Sequence, residues 1–83
     1  MIKVTIAIPV YNSELYLKEA IQSVLNQTFK SFKLIILNDG STDSSMEIAK
    51  SFLDSRIQII DDGKNKGLQY RLNQIIEIKY FFN

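Results

Sequence analysis

Apolar residues in this chain fall into short continuous runs that alternate with stretches of helical spacing. The runs at 4–8, 34–37 and 57–60 are each bounded by turn residues, which is typical of strands buried on both faces. After each run, apolar residues recur every three or four positions, as they do on one face of a helix. This β-α-β-α-β-α order predicts an α/β fold in which helices cover a parallel sheet.

The first strand-and-helix unit has a proline at its boundary. We expect Pro9 to end the strand, because proline has no N–H for an inner sheet ladder. Either Asn12 or Ser13 is suited to cap the following helix, since the side-chain oxygens of both residues accept backbone N–H groups. The apolar spacing predicts that this helix covers residues 13–27.

The second unit combines a strand with a capped helix. Phe32 and residues 34–37 supply the apolar side chains of the strand. Ser44 and Glu47 then have the Ser-x-x-Glu spacing of a capping box, in which each side chain accepts a backbone N–H of the other residue. We therefore expect this pair to cap the second helix.

The third unit is followed by an aromatic cluster. Strand 57–60 leads into an Asp-Asp-Gly turn, and the next helix is predicted to carry an apolar face made of Leu68, Leu72, Ile75 and Ile76. Residues 80–82, Tyr-Phe-Phe, have the composition of an opening strand. We expect residues 1–83 to form a single, truncated domain.

Composition narrows the class of protein. With 46% hydrophobic and 23% charged residues, the chain has the balance of one small globular domain. It contains no cysteine, which excludes a disulfide framework, a thiolate metal site and a cysteine nucleophile. It also contains no histidine, so the commonest transition-metal ligand is missing. Its net charge is +1 without a basic block, so nothing indicates nucleic-acid binding. No signal peptide or membrane-spanning stretch is visible, and we expect a cytoplasmic location.

Asp39 follows the second predicted strand, where a parallel sheet places its ligands. A carboxylate at this position can accept the imide N–H of a uracil or the hydroxyls of a ribose. Gly40 would allow the backbone to pass close to a ligand, or it could itself adopt a positive φ. A turn aspartate that accepts nearby backbone N–H groups would give the same sequence, and the residues alone favour neither interpretation.

The loop from Pro9 through Val10 and Tyr11 to Asn12 follows the first strand and reaches the same edge. Tyr11 could offer an aromatic face to a base, and Asn12 could fix the loop. From the spacing alone, an ordinary strand-ending turn is the favoured interpretation.

The third strand is followed by two charged segments. We interpret Asp61 and Asp62 as a solvated turn and expect no metal site, because the side chains of adjacent residues diverge. Residues 64–67 place lysines at the N-terminal end of the last helix, where backbone N–H groups can receive phosphate oxygens. Arg71, one turn later, could join them or point to water.

Four segments together resemble the N-terminal part of family 2 glycosyltransferases, which have the GT-A fold. The segments lie in the order and spacing of that family, at residues 8–12, 20–28, 37–43 and 65–68. The resemblance extends to about Asn73. It implies a three-layer, Rossmann-like βαβαβα half-domain with a parallel sheet.

The resemblance also implies a chemistry, in which an acceptor hydroxyl displaces the nucleotide from a nucleotide-sugar donor, usually a UDP-sugar, with inversion. It implies a nucleotide site formed by Pro9, Val10, Tyr11, Asn12, Asp39, Gly40, Lys66, Gly67 and Arg71. The family uses Mg²⁺ or Mn²⁺ bound by an Asp-x-Asp motif, which this chain lacks along with the acceptor site and the catalytic base. We therefore expect no catalytic residue and no metal ligand in these 83 residues, and membrane association only through regions beyond them.

Two other classes of protein share features with this sequence. One is a non-catalytic interaction module, in which the outer edge of the first strand pairs with a second copy to form a homodimer. The other is a phosphorelay receiver domain, which also has an aspartate at a strand end. A receiver fits poorly, because residues 9–12 stand where its acidic cluster would be.

Overall fold

The computed structural model describes residues 4–28 and 30–82, and their side chains as far as residue 77. The elements follow the chain in the order β1 (Val4–Val10), α1 (Leu17–Leu25), β2 (Phe32–Asn38), α2 (Ser45–Lys50), β3 (Ile57–Asp61) and α3 (Leu68–Phe82). The predicted alternation of strands and helices is confirmed.

The three strands form one parallel sheet with the order β1-β2-β3. Leu34 lies opposite Ile6 of β1 and Ile57 of β3, which fixes the register. Because β2 is the central strand, residues 34–37 are completely buried. The continuous apolar run in the sequence therefore marks a strand covered on both faces.

The main core lies between one face of the sheet and the helices α1 and α2. It consists of Val10, Leu17, Ile21, Phe32, Leu34, Ile36 and Ala49. Side chains alternate along a strand, so Ile35 and Leu37 are buried toward the opposite face. Helix α3 packs against β1. The result is the expected three-layer α/β arrangement.

Pro9 does not end the first strand, and that prediction is wrong. β1 continues to Val10, and Pro9 pairs with Leu37 of β2. Among the described residues, β1 has a strand partner on one side only. A proline is tolerated on such an edge, because its missing N–H can face away from the neighbouring strand.

Helix α1 is shorter than predicted and has no side-chain cap. The backbone N–H groups of Tyr16 and Leu17 donate to the carbonyl of Ser13 at 3.0 and 2.9 Å, so a turn precedes the helix. The hydroxyl of Ser13 donates instead to the carbonyl of Tyr11. Neither Asn12 nor Ser13 caps α1, because the Ser13 hydroxyl is used within its own loop and Asn12 Oδ1 accepts the N–H of Thr42 from the loop after β2.

The predicted capping box of α2 does not form either. The side chain of Ser44 makes no capping hydrogen bond. Instead, the backbone N–H of Ser45 donates to Asp43 Oδ1 at 2.9 Å, and that of Ser44 donates to Glu14 Oε2 at 3.2 Å. Glu14, in the loop after β1, thus accepts the N–H of Ser44 that Glu47 was expected to accept. This bond also links the loops after β1 and β2.

Helix α3 departs most from expectation. Its predicted apolar face is largely exposed, with exposed fractions of 62% for Leu68, 41% for Leu72 and 67% for Ile76. Among the side chains described for this helix, at residues 68–77, only that of Arg71 is buried, with 1% exposed. The strand expected at 80–82 is also wrong, because the backbone there continues as helix. No glycine or proline interrupts the sequence after Gly67, so nothing ends the helix earlier.

Within residues 4–28 and 30–82, the helices are too short or too polar for any of them to cross a bilayer.

Candidate functional site

A cavity of about 300 Å³ opens at the edge of the sheet where the three strands end. Its lining combines apolar and charged groups from four segments of the chain, namely Pro9, Val10, Tyr11, Asp39, Asn65, Gly67, Leu68 and Arg71. Most residues predicted for a nucleotide site are therefore brought together. Asn12, Gly40 and Lys66 are not part of this lining, and Asn65 and Leu68 join it without having been predicted.

Asp39 lies at the floor of this cavity, directly after β2, and is 6% exposed. Its Oδ1 accepts hydrogen bonds from Arg71 Nε and from the backbone N–H of Lys66, both at 2.8 Å. Gly67 N–H approaches both oxygens, at 3.3 Å from Oδ1 and 3.2 Å from Oδ2. Donation by Lys66, then by the Arg71 side chain, holds the pKa of Asp39 below its ordinary value. The group is an ionised carboxylate whose Oδ2 carries only a long, shared bond.

The same carboxylate acts as the anion at the N-terminal end of α3. Lys66 and Gly67 precede Leu68, the first helical residue, and Asp39 accepts both of their N–H groups. Negative charge is favourable at this position, because the first N–H groups of a helix lack partners within it. The donors that the sequence suggested for phosphate thus already hold a carboxylate of the chain. The ammonium of Lys66 lies 5.5 Å from the ring centroid of Tyr70.

Arg71 joins the carboxylates that follow β2 and β3. Its Nη2 and Nη1 donate to Asp62 Oδ1 and Oδ2 at 2.9 and 3.2 Å, while its Nε donates to Asp39. Asp62 and, after it, Asp39 raise the pKa of Arg71, and the Arg71 side chain lowers that of Asp62 to about 2. Both aspartates form turn bonds, since Asp61 Oδ1 accepts the N–H of Gly63 and Asp62 Oδ1 accepts that of Lys64. The predicted turn is therefore present, but Asp62 is also paired with Arg71 and is not simply solvated.

Asn12 fixes two loops to one another. Its Oδ1 accepts the backbone N–H groups of Thr42 and Asp43 at 2.7 and 3.3 Å, and its own N–H donates to Ser41 Oγ at 3.0 Å. It adopts a φ of 46°, a left-handed conformation that asparagine tolerates better than most residues. A second link runs from the N–H of Glu14 to Asp43 Oδ2 at 3.2 Å. Asn12 thus holds the loop after β1, which begins with Tyr11, against the loop after Asp39.

Gly40 allows the loops after β2 and β3 to touch. Its φ is 71°, and a Cβ at this position would lie 2.8 Å from the backbone N of Asn65 and 2.9 Å from the carbonyl carbon of Lys64. The amide of Asn65 donates to the carbonyl of Asp39 at 3.1 Å across this contact. A side chain at Gly40 would separate the two loops.

The described residues do not fit a divalent cation. They contain no cluster of three or more carboxylate, histidine or cysteine ligands that could hold a metal ion. The adjacent carboxylates of Asp61 and Asp62 accept the N–H groups of Gly63 and Lys64, and Asp62 is also paired with Arg71. Two adjacent carboxylates do not by themselves make a cluster of three ligands.

The family is decided by a sequence comparison. The sequence model of the family described as Glycosyl transferase family 2 matches residues 5–78. The chain belongs to glycosyl transferase family 2. The resemblance inferred from four short segments is confirmed.

Relatives of this family-2 chain are glycosyltransferases of greater length. It is 44% identical over 73 residues to glycosyltransferase GlyA of Streptococcus pneumoniae, covering 86% of this chain and 10% of the relative. It is 42% identical over 74 residues to an uncharacterised glycosyltransferase of Haemophilus influenzae, covering 84% of this chain and 22% of the relative. The chain therefore spans less than a quarter of the length of either protein.

A solved structure supports the fold of this family-2 chain. The mannosyltransferase PcManGT from Pyrobaculum calidifontis, in complex with GDP-Man and Mn²⁺, superposes with a TM-score of 0.74 at 19% identity. The match covers 89% of this chain and 23% of the mannosyltransferase. The GT-A, Rossmann-like fold class is confirmed.

Proposed function

We propose that this chain is the nucleotide-binding part of an inverting glycosyltransferase that uses a UDP-sugar donor and an acceptor hydroxyl. The observation that carries the proposal is the placement of Asp39 at the floor of the cavity. Its Oδ1 is occupied by two bonds of 2.8 Å, whereas its Oδ2 accepts only one bond of 3.2 Å. The carboxylate therefore retains one acceptor for a ligand that carries an N–H group.

The walls of the cavity suit a flat base. Pro9, Val10, Tyr11 and Leu68 supply apolar surface around the carboxylate, and the side chains of Tyr11 and Leu68 are more than half exposed. A uracil ring would cover this surface while its imide N–H pointed to Asp39, which combines burial of apolar area with one charge-assisted hydrogen bond. The ribose and the diphosphate would then lie toward solvent.

The number of donors that a base presents favours uracil over guanine in this proposal. Uracil offers a single imide N–H, which matches the single acceptor at Oδ2. The structural neighbour was solved with GDP-Man, and guanine presents two adjacent donor groups that would require both carboxylate oxygens. Because Oδ1 is already occupied, we expect UDP to bind more tightly than GDP.

Sugar transfer itself is assigned to parts of the enzyme other than residues 1–83. The described residues contain no cluster of three or more side chains that could hold a metal ion. We expect no hydrolysis of a UDP-sugar above background by this chain, and hydrolysis that depends on the folded chain would contradict this.

Calorimetric titration with UDP tests the binding proposal. Wild-type chain is expected to bind UDP, and Asp39→Asn, which keeps the shape but removes the charge, is expected to abolish binding. Asp61→Asn is the matched control, since Asp61 is near the site but does not line the cavity. No binding by the wild-type chain, or equal affinity in Asp39→Asn, would overturn the proposal. The same replacement should remove donor binding in a full-length relative.

A non-catalytic module that forms dimers is the second candidate. Among the described residues, the outer edge of β1 has no strand partner, and α3 leaves Leu68, Leu72 and Ile76 exposed. Two copies could pair through β1, although Pro9 would interrupt the hydrogen bonds at one end. Light scattering over a range of concentrations tests this, and a monomer at high concentration contradicts it.

A further inference from the structure

Arg71 uses all the hydrogen-bond donors of its guanidinium within the protein. An arginine side chain has five N–H groups. Its Nε donates to Asp39 at 2.8 Å, its Nη1 to Asp62 at 3.2 Å and Gln74 Oε1 at 2.9 Å, and its Nη2 to Asp62 at 2.9 Å and the carbonyl of Lys64 at 2.6 Å. No N–H of Arg71 remains for a ligand.

A saturated guanidinium has a different role from the one suggested by its place in the cavity wall. Arg71 cannot donate to a base or a phosphate without breaking one of these bonds, and its side chain is 1% exposed, so water would not replace the lost partner. What it can do is hold carboxylates in place. It connects the end of β2, through Asp39, with the turn after β3, through Asp62.

We propose that Asp62 is a positioning residue for nucleotide recognition. It holds the fork-shaped guanidinium of Arg71 so that Arg71 Nε donates to Oδ1 of Asp39, and Oδ2 of Asp39 is left for the base. This inference rests on the function proposed above for Asp39. Asp62 accepts from both Nη1 and Nη2, whereas Asp39 contacts only Nε. Gln74 Oε1 and the carbonyl of Lys64 each contact one Nη at a shorter distance. Among the described residues, Asp62 is the only carboxylate that restrains both ends of the guanidinium.

The exposure of the three groups supports this division of roles. The side chain of Asp62 is 36% exposed, while those of Asp39 and Arg71 are 9% and 1% exposed. The two contacts of the partly exposed Asp62 carboxylate thus restrain the buried guanidinium of Arg71. Without Asp62, Arg71 would keep its charge, but two of its N–H groups would lose their acceptor, and the fork would turn to recover one.

The titration of Asp39, followed by carboxyl carbon NMR, tests the proposal through the sign of a pKa change. Removing the negative charge of Asp62 would, through Coulomb interaction alone, lower the pKa of Asp39 further. Loss of the bond from Arg71 would instead raise it. In Asp62→Asn we expect the pKa of Asp39 to rise, and Asp61→Asn, the matched control on the neighbouring carboxylate, should not raise it. A pKa that falls or stays unchanged in Asp62→Asn overturns the proposal.

UDP affinity provides the functional readout. Asp62→Asn is expected to weaken UDP binding about fivefold, the contribution of a hydrogen bond that is no longer well placed, and Asp61→Asn should bind like the wild type. Failure of the wild-type chain to bind UDP would defeat the proposed function, while the titration would still decide whether Asp62 positions Asp39. Unchanged affinity in Asp62→Asn, with wild-type binding intact, would overturn the inference alone.

A measurement on the wild-type chain keeps the proposal testable if Asp62→Asn does not fold. A guanidinium held at five points should give a slowly exchanging Nε–H signal for Arg71 and separate Nη–H signals in a nitrogen-resolved spectrum. A single averaged set of Nη–H signals would mean that Asp62 does not hold the fork, which contradicts the proposal.

Discussion

The contact at Gly40 gives the sharpest prediction about stability, because the chain contains its own control. Gly40 and Gly63 have almost the same φ, 71° and 72°. An added Cβ would meet backbone atoms of Asn65 and Lys64 at 2.8 and 2.9 Å at Gly40, but would have nothing within 4 Å at Gly63. The two alanine variants should therefore lose the same stability from the left-handed backbone conformation, and only Gly40→Ala should lose more from a steric clash.

The magnitudes follow from these two terms. A left-handed conformation costs an alanine about 1 kcal/mol, and both variants should lose this amount of unfolding free energy. Overpacking against atoms that cannot move aside costs about 1–3 kcal/mol more. The atoms near Gly40 are backbone atoms, so the loop would have to shift as a unit. We expect Gly40→Ala to be less stable than Gly63→Ala by about 1–3 kcal/mol.

Urea denaturation followed by circular dichroism measures this difference. If the slope of unfolding free energy against urea is the same in both variants, the difference in midpoint reports stability directly. With a slope of about 1 kcal/mol/M for a small chain, the midpoints should differ by about 1 M or more. Equal midpoints would refute the reasoning, since they would mean that the loops after β2 and β3 do not meet at Gly40.

Other predictions concern the core, the loops and the effect of pH. Leu34→Ala removes a completely buried side chain of the central strand and should cost about 2–5 kcal/mol, measured by the same urea titration. Asn12→Ala should accelerate hydrogen exchange at the amide of Thr42, and unchanged exchange would contradict the contact between the loops. The pKa values of Asp54 and Asp62 are lowered to about 2 from 3.8 by hydrogen bonds from arginine. Their contribution to stability is therefore present above pH 3.8 and lost as the pH falls to about 2, which unfolding midpoints measured across this range should show.

The sequence predicted the elements well, because the number and order of strands and helices depend on local apolar patterns. Residues 34–37 read as a strand buried on both faces, and they are. The position of Asp39 at the end of the central strand was also predicted correctly, since it depends only on topology, and Asp39 lines the cavity at this edge. Features that belong to one element or to one sheet edge are thus visible along the chain.

What the sequence did not reveal are contacts between loops. The side chain of Asn12 bonds to backbone groups thirty and thirty-one residues away, so it is not available to cap the next helix. The carboxylate of Asp62 forms the predicted turn bond but is also paired with an arginine nine residues later, so it is not simply solvated. Such partners depend on which loops the sheet brings together, and residue spacing within one segment carries no information about that. The only local indication that Asp62 has an ionic partner was that Arg71 follows in the next helix.

The burial of Arg71 explains both the failed prediction for α3 and the form of the site. The apolar residues expected to attach this helix are largely exposed, and the N-terminal end of the helix is held instead by an ion pair and by N–H groups that converge on Asp39. At the N-terminal end of α3, the bonds that attach the helix are thus the same bonds that orient the carboxylate proposed to read the base. A ligand at Oδ2 would share its acceptor with the long bond from Gly67. Under the proposed function, donor binding and the placement of the N-terminal end of α3 are coupled through Asp39.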